Sequence, residues 1–514
     1  MPQNSHLIPF LVLATSLAAA AQTVPLFHFT EKPGPHAAGL KVVEQYDYAR
    51  IYRPLTDSLG KPYQGERARP LQTLVWYPAD TPKLGGKPMT VGDYAGLLQT
   101  ETSFGTPNLW EQQKQWIEGM KPTMAMPMWA WRDAVPLAGR FPVVIYAPSF
   151  SAMSWENADL CEYLATHGYV VIASPDMGAA ARGMTSDVSG IEAQAADISF
   201  LIGFARTLAN TDMSELAVAG FSWGGISNLF AAARDNRIDA LVALDGSMRY
   251  FPGLIKQSGY VHPDQMTIPL LYFAQGEITL ENQEQMKLNL KDGPNVLNEW
   301  THGDLVMVHM LGMTHTEHSS MYQRNDNTWK RYAEQKKGDY DREDGISGYA
   351  WVARYTLHFL DAYLKHDDAG MTFLKNSPAE NGAPKHLMAV SYRAAKGIPL
   401  TLDALRGEVG RQGFAHAPDI YAAMCKEKPD FKLDEAAVNS WSGELLSGGH
   451  VPEAIVVLKL NVQMYPESSS AYAALGAAYE QAGQKEAAME SYQKSVEKNP
   501  GNEDAKAKLK ELGH

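Results

Sequence analysis

One serine in this chain has the neighbours that covalent catalysis requires. Ser222 is the middle residue of GFSWG (220–224), which follows the apolar run LAVA (216–219) and precedes a helical pattern over 226–233. A strand, a sharp turn and a helix in this order expose a serine hydroxyl above a sheet, and the crowded turn needs glycine two residues to either side. The pattern predicts that Ser222 is a nucleophile; the alternative is a glycine-rich turn with an unreactive serine.

A serine hydroxyl is a weak nucleophile, so it needs a base beside it, an acid that orients the base, and donors for the oxyanion that forms. Four histidines lie around an apolar run further along the chain, 304–311. His302 precedes this run and His309 lies inside it, whereas His318 is three residues beyond His315. His315 follows the run on a loop, where a base next to the serine is required, and it is the predicted base.

Two carboxylates are candidates for the acid. Asp245 ends the apolar run ALVAL (240–244), and Glu277 follows the run PLLYF (269–273). Both residues lie at the carboxyl ends of predicted strands, where the ligand chemistry of open sheets gathers. The residues alone leave Asp245 and Glu277 nearly equal as candidates.

Alternating strands and helices must position these residues. Buried strands are predicted at 142–147, 169–174, 216–219, 240–244, 269–273 and 304–311, with helices at 156–167, 193–208 and 226–233. An antiparallel pair (39–53 and 71–78) precedes them, and an amphipathic helix over 349–367 closes the unit. The alternation predicts an α/β fold, with a mostly parallel sheet flanked by helices on both faces.

Five segments, FPVVIYAPSFS, HGYVVIASPD, VAGFSWGG, ALDGSM and GMTH, occur in the order in which they occur in the α/β-hydrolase superfamily. The span from about 37 to 370 resembles most closely its dienelactone hydrolase and platelet-activating-factor acetylhydrolase branch. This resemblance implies an α/β-hydrolase fold and hydrolysis of a carboxylic ester, a lactone or a thioester. In the acetylhydrolases the acid follows the strand directly after the serine, in a Leu-Asp context, which implies Asp245 rather than Glu277.

The same resemblance implies where the oxyanion would be bound. The donors would be the backbone N–H groups of Trp223, next to the nucleophile, and of Phe150, in the loop after PVVIYA. The family usually has a His-Gly pair at the start of that loop, whereas this chain has Pro148-Ser149. Backbone donation survives this change if the loop keeps its course, and losing one donor costs about 100-fold or more in turnover.

The C-terminal part has a different pattern. It is carried by Tyr472, Leu475, Gly476, Tyr479, Ala488, Tyr492 and Pro500, and earlier by Gly449, Ala454, Leu458 and Pro466. At a period of about 34 residues, these positions resemble tetratricopeptide repeats at 435–468 and 469–502, with a capping helix at 503–512. Two repeats hardly bury a core, so we expect them to pack on a helical segment at 402–423 or on the α/β unit. The resemblance implies a site for a protein partner.

These patterns together predict the domain organisation. Residues 1–21 form a signal peptide, because an apolar stretch too short to span a bilayer ends in an Ala-x-Ala pattern. The hydrolase domain covers 37–376 with inserted segments at 81–136 and 319–348, a helical linker covers 377–434, and the repeats cover 435–512. The methionine- and tryptophan-rich residues 120–131 form either a wall of an acyl-binding pocket or a cover on the sheet.

Composition limits the partners. The 514 residues carry a formal net charge of −13 without a Lys/Arg block, which disfavours nucleic acid and anionic membranes. After the predicted signal, no segment is apolar for long enough to span a membrane. The two cysteines, Cys161 and Cys425, do not make a disulfide framework. Neither a cofactor nor a metal is expected.

These observations predict an exported serine hydrolase, periplasmic or secreted, that acts on a small-molecule ester through an acyl-enzyme. The alternative is a catalytically weak or inactive hydrolase-fold protein that binds partners through its repeats, its activity lost with the change to Pro148-Ser149. Metal-dependent hydrolysis by the histidines at 302–318 is disfavoured, because their spacing is not the helical H-E-x-x-H pattern.

Overall fold

The computed structural model describes residues 26–80, 87–104, 109, 111–276, 295–328, 339–426 and 428–513. The predicted signal peptide (1–21) and the alternative acid Glu277 lie outside the described residues. Within them, the strands are β1 (Ala37–Ile51), β2 (Ala68–Ala79), β3 (Ala130–Arg132), β4 (Phe141–Ala147), β5 (Val170–Ala173), β6 (Thr211–Phe221), β7 (Ala240–Leu244), β8 (Leu270–Ala274), β9 (Leu305–Met310) and β10 (Met388–Arg393). They form one ten-stranded sheet in the order β10-β9-β8-β7-β6-β4-β5-β2-β1-β3.

Most of the sheet is parallel. The strands β5, β4, β6, β7, β8 and β9 are parallel neighbours in that order. By contrast, β2 is antiparallel to β1 and β5, and β10 is antiparallel to β9. Every residue of β7 and β8 is buried, because helices cover both faces of a parallel sheet. The predicted α/β fold with a mostly parallel sheet is confirmed.

Helices cover both faces of this sheet. In the described ranges they are α1 (Val91–Gly96), α2 (Glu111–Met120), α3 (Ala158–Thr166), α4 (Val188–Ala205), α5 (Trp223–Ala232), α6 (Pro252–Ser258), α7 (Val296–Glu299), α8 (Ser320–Arg324), α9 (Arg342–Leu364), α10 (Asp368–Lys375), α11 (Leu402–Gln412), α12 (Ala417–Met424), α13 (Glu435–Ser447), α14 (Val451–Met464), α15 (Ser469–Gln481), α16 (Lys485–Lys498) and α17 (Glu503–Leu512). Alternate residues of β4 face opposite cores. Val144 and Tyr146 pack in the core with α3 and α9, whereas Val143 and Ile145 pack with α4 and α5.

The sheet extends further along the chain than predicted. The segment 377–434, predicted as a helical linker, contains β10, which pairs with β9 from Met388 opposite Met310 to Arg393 opposite Leu305. The α/β unit therefore continues beyond residue 376. Only the first residue of β10 is buried, so the strand has no apolar run and depends on its pairing with β9.

The two inserted segments pack more closely than the sequence indicated. Within 319–348, Arg324 is buried and lies 2.5 Å from Asp159 of α3. Residues 342–348 are the first turns of α9 instead of a polar loop. In the other segment, Met120 and Met128 belong to the core on the α3 face of the sheet. These methionines therefore act as a cover on the sheet, one of the two readings of residues 120–131.

The C-terminal part is helical, with α13 to α17 at the positions predicted for the repeats and the capping helix. The expected packing on 402–423 is confirmed, because α11 and α12 share one core with α13 and α14. Trp441 of α13 packs there with Leu405 and Ile420. Membership of the tetratricopeptide repeat family stays a prediction.

The helical tail is attached at the amino-terminal end of the sheet. The Lys396 N–H donates to the Thr301 carbonyl at 2.8 Å, just before β9. A cleft of about 760 Å³ lies between α11 and the residues that precede β7 and β8. The tail and the carboxyl ends of the parallel strands are therefore on opposite sides of the domain.

In the described ranges, no helix is both long and apolar enough to cross a bilayer.

Cys161 and Cys425 are free thiols. Burial in α3 raises the pKa of the Cys161 thiol well above its ordinary value, which makes it unreactive.

A buried carboxyl joins the 81–136 segment to α3 and makes stability depend on pH. The Tyr94 hydroxyl and the Trp129 N–H both donate to Glu162 at 2.6 Å. Burial raises the pKa of Glu162 to about 8, against the opposing effect of the Tyr94 hydrogen bond. Between pH 5 and pH 8 the folded protein therefore retains a proton that the unfolded chain releases, and stability falls as pH rises.

We expect the Glu162→Gln variant to lose less stability over this interval than the wild-type protein. The difference is at most about 4 kcal/mol, from about 1.4 kcal/mol for each pH unit. Urea unfolding of both proteins at pH 5 and pH 8 measures it, with the exposed Glu497→Gln as the control. Parallel pH dependence of wild type and Glu162→Gln would contradict the assignment.

Candidate active site

Ser222 lies between β6 and α5 in a backbone conformation that side-chain-bearing residues rarely adopt. Its φ is 52° and its ψ is −113°, and such strain concentrates at functional sites. Its N–H donates to the Leu244 carbonyl at 3.0 Å, which fixes the turn to β7. A Cβ on Gly224 would lie 2.0 Å from the Ala147 oxygen, and one on Gly220 would lie 2.6 Å from the carbonyl carbon of Gly224. The turn therefore requires glycine at both positions.

The carboxyl ends of β6 and β7 and the loop after β9 bring three predicted site residues together. Ser222 Oγ lies 2.8 Å from His315 Nε2, and His315 Nδ1 lies 2.5 Å from Asp245 Oδ2. The Asp245 side chain is 0 % exposed, whereas that of His315 is 35 % exposed. An imidazole held between a hydroxyl and a buried carboxylate can take the hydroxyl proton, and the carboxylate stabilises the imidazolium that forms.

A cavity of about 420 Å³ opens at Ser222. In the described part of the chain it is lined by Ser149, Phe150, Phe221, Ser222, His315, Thr316, Tyr322, Asn327 and Thr328. Phe150, which lines the cavity, is 42 % exposed, and Phe251 is 40 % exposed. Both rings contact Trp223, the residue after Ser222, with centroids 5.4 and 5.8 Å away. None of the described residues that line the cavity is Lys, Arg, Asp or Glu. Exposed aromatic rings next to a neutral cavity suit an apolar ligand group.

The sequence matches no family model and no curated protein. Among solved structures, a ferulic acid esterase from Streptomyces cinnamoneus matches 71% of this chain and 98% of its own, with a TM-score of 0.50 and 17% sequence identity. The chain has the α/β-hydrolase fold. At this level of identity the likeness concerns the fold alone, and a shared fold does not determine the chemistry of the site.

Two residues that could not be predicted from the sequence hold Asp245 in place. The Tyr250 hydroxyl donates to Asp245 Oδ1 at 2.7 Å. The backbone N–H of Gln275 donates to the same oxygen at 3.3 Å. The side-chain oxygen of Gln275 accepts from the backbone N–H of His315 at 3.2 Å. Burial opposes ionisation of Asp245, but the hydrogen bond and charge of His315 outweigh it and keep the pKa of Asp245 below its ordinary value. Neither Tyr250 nor Gln275 belongs to a motif that could have indicated it.

The competing histidines have other neighbours. His302 lies at the amino end of β9, with Nδ1 2.6 Å from the Gly397 carbonyl oxygen. His309 is within β9, opposite a residue of β10. His318 is buried, its Nδ1 lies 3.2 Å from the Thr314 carbonyl oxygen, and burial lowers its pKa. Among the described residues, no three His, Cys, Asp or Glu side chains converge as metal ligands would.

The two backbone donors implied by the family resemblance lie beside the serine. Trp223 is the first residue of α5, and the first N–H groups of a helix have no acceptor inside it. Phe150 is in the loop between β4 and α3 and lines the same cavity as Ser222. The loop has Pro148-Ser149 where the family usually has a His-Gly pair, and it still lies next to Ser222.

Proposed function

We propose that this chain is a serine hydrolase that cleaves a carboxylic ester, a lactone or a thioester through an acyl-enzyme. The observation that carries the proposal is the unbroken hydrogen-bond chain from Ser222 through His315 to the buried Asp245, at 2.8 and 2.5 Å. Hydrogen-bond reach between nucleophile and base, with the base oriented by a third group, is what activation of a serine requires.

In this mechanism Ser222 Oγ attacks the carbonyl carbon while His315 Nε2 takes the hydroxyl proton. Asp245 holds the imidazole by Nδ1 and stabilises its positive charge. The N–H groups of Trp223 and Phe150 donate to the tetrahedral oxyanion. When the intermediate collapses, the alcohol or thiol takes the proton from His315 and leaves, whereas in a lactone it stays attached as a hydroxyl group of the acyl chain. A water molecule then repeats the sequence on the acyl-enzyme. The acid is released and the Ser222 hydroxyl is restored.

The lining of the cavity supports a neutral, apolar substrate group. A volume of about 420 Å³ lies within the usual range for small-molecule sites. One structurally similar protein is a ferulic acid esterase, and the exposed rings of Phe150 and Phe251 suit an acyl group of aromatic or aliphatic character. The proposed substrate is therefore an uncharged small-molecule ester.

Export and partner binding form the rest of the proposal. Residues 1–21 direct the chain to the periplasm or the outside of the cell, where 37–376, extended by β10, performs the hydrolysis. The helices at 435–512 are two tetratricopeptide repeats with a capping helix, and they dock a protein partner. The match between the bounds of α13 to α17 and the repeat pattern supports the assignment of the repeats.

A fluorophosphonate probe tests the proposed chemistry directly, because it reacts with serines that are activated by a neighbouring base. We expect the folded protein to be labelled at Ser222, as mapped by peptide mass spectrometry, and the urea-unfolded protein to remain unlabelled. A series of p-nitrophenyl esters of increasing acyl length then measures the size of the acyl site. Absence of both labelling and ester hydrolysis would favour the alternative, an inactive protein that binds partners through its repeats.

A further inference from the structure

The loop that carries Phe150 is held from both sides by buried side chains. The contacts are Gln194 Nε2 to the Pro148 carbonyl at 2.8 Å, the Ser149 N–H to Glu156 Oε2 at 2.8 Å, the Ser151 N–H to Asp176 Oδ2 at 2.8 Å, and Arg182 Nη2 to the Ala152 carbonyl at 3.2 Å. Every neighbour of Phe150 in the loop is thus tied to the protein interior. The course of the loop is therefore set by side chains behind it, and Pro148-Ser149 is compatible with it.

Glu156 makes the most extensive of these contacts. It is fully buried, and its carboxyl group accepts hydrogen bonds from the Ser149 N–H, the Ser149 hydroxyl and, at 3.3 Å, the Tyr146 hydroxyl. The Ser149 contacts lie one residue before the N–H group assigned to the oxyanion. A shift of the Glu156 carboxyl would therefore move Ser149 and, through the peptide that joins them, the N–H of Phe150.

The backbone of Glu156 is tied to the other half of the site. Its carbonyl oxygen accepts from Ser319 Oγ at 2.8 Å and from the Met321 N–H at 3.3 Å. The next residue, Asn157, donates to the His318 carbonyl at 3.1 Å and accepts the Ser320 N–H at 2.9 Å. Residues 318–321 are the last residue of the turn that carries His315 and the three residues after it. One short segment therefore joins the loop of the oxyanion donor to the loop of the base.

We propose that Glu156 is a positioning residue that fixes the Phe150 N–H relative to Ser222 and His315. The inference rests on the proposed hydrolase function. Glu156 is assigned no contact with the substrate; it acts through Ser149. In this chain the buried carboxyl and Ser149 take the place of the His-Gly pair that usually opens the loop. Loss of one oxyanion donor costs about 100-fold or more in turnover, which sets the scale of the effect.

The conservative variant at this position should retain activity. Burial raises the pKa of Glu156 to about 7, partly offset by its hydrogen bonds from Ser149, so at neutral pH a large share of the protein carries this carboxyl protonated. Glutamine has the shape and hydrogen-bonding capacity of that protonated form: its oxygen can accept the Ser149 N–H and its amide can donate to the Ser149 hydroxyl. Aspartate keeps the carboxyl group but is one methylene too short to reach Ser149.

The test compares Glu156→Gln, Glu156→Asp and Glu156→Ala in hydrolysis of p-nitrophenyl butyrate. We expect Glu156→Gln to keep kcat within about 3-fold of wild type. Glu156→Asp should lower kcat about 10-fold and Glu156→Ala about 100-fold, with KM changed less than about 2-fold. Affinity for a trifluoromethyl ketone, which forms a tetrahedral adduct with the serine, should fall by the same factors as kcat/KM, because the adduct needs the oxyanion donor.

Glu162→Asp is the matched control, since Glu162 is a fully buried glutamate that contacts Tyr94 and Trp129 instead of the loop. It should leave kcat within about 2-fold of wild type. If Glu156→Ala does not fold, as judged by thermal unfolding, Glu156→Asp decides the outcome. Wild-type kcat in Glu156→Asp, or a loss equal to that in Glu162→Asp, would overturn the inference. A wild-type protein without esterase activity would instead overturn the proposed function.

Discussion

Replacing Ser222 by alanine is expected to abolish ester hydrolysis, with kcat on p-nitrophenyl butyrate falling about 10⁴- to 10⁶-fold. In the proposed mechanism, the hydroxyl oxygen that His315 Nε2 contacts at 2.8 Å becomes acylated, and water held in its place is not activated in the same geometry. Initial rates at saturating substrate measure the loss. Labelling by the fluorophosphonate probe should disappear in the same variant.

The fold should survive this substitution. Serine and alanine both carry a Cβ, so the strain of the positive φ is nearly the same in the variant, and the lost hydroxyl faces the cavity instead of a packed core. Ser227→Ala is the matched control, because Ser227 is a buried serine of α5 whose hydroxyl donates to the Trp223 carbonyl, one turn earlier in the helix. Equal activity in Ser222→Ala and wild type, with both proteins folded, would refute the assigned nucleophile.

The second large effect is expected at the acid. Asp245→Asn should lower kcat about 10³- to 10⁴-fold, because an amide beside His315 Nδ1 neither selects the required tautomer nor stabilises the imidazolium. The buried Asp245 carboxylate also accepts from Tyr250, and an asparagine oxygen could keep that bond, so the loss would report on the imidazole contact. Steady-state rates at saturating substrate measure it.

Glu277→Gln is the control that the sequence itself provides, since Asp245 and Glu277 were nearly equal candidates on position alone. We expect this variant to keep kcat within about 2-fold of wild type. The reverse result, with the large loss in Glu277→Gln and near-normal turnover in Asp245→Asn, would transfer the acid role to Glu277. Thermal unfolding of both variants separates a change in chemistry from a change in folding.

Local patterns predicted the central sheet well. Each strand from β4 to β9 contains a largely apolar run because both faces of the sheet are covered, and such runs are visible without any alignment. The start of β6 was missed, since residues 211–215 are mostly polar and only partly buried. The strand β10 was missed, since only its first residue is buried and its pairing with β9 is not visible in the local sequence. The buried pair Arg324–Asp159 was missed for a related reason, because a charged segment is ordinarily read as a solvated loop.

The candidate site likewise contains some residues that could be predicted from the sequence and others that could not. Ser222 and its flanking glycines could be predicted because the strained turn is encoded within a few residues. Tyr250, Gln275 and Glu156 could not, because each acts through a hydrogen bond to a group brought near it by the folded loops. A side chain of ordinary type at an unremarkable position carries no signal of such a contact before the chain is folded.

The attachment of the helical tail to the amino-terminal end of the sheet affects how the molecule can be anchored. Lys396 and α11 hold the tail beside the starts of the strands, whereas the Ser222 cavity opens at their finishing ends. If the chain were tethered to a scaffold through its last five helices, the opening of the Ser222 cavity would face away from the scaffold. Diffusing molecules would then approach it without passing the tether.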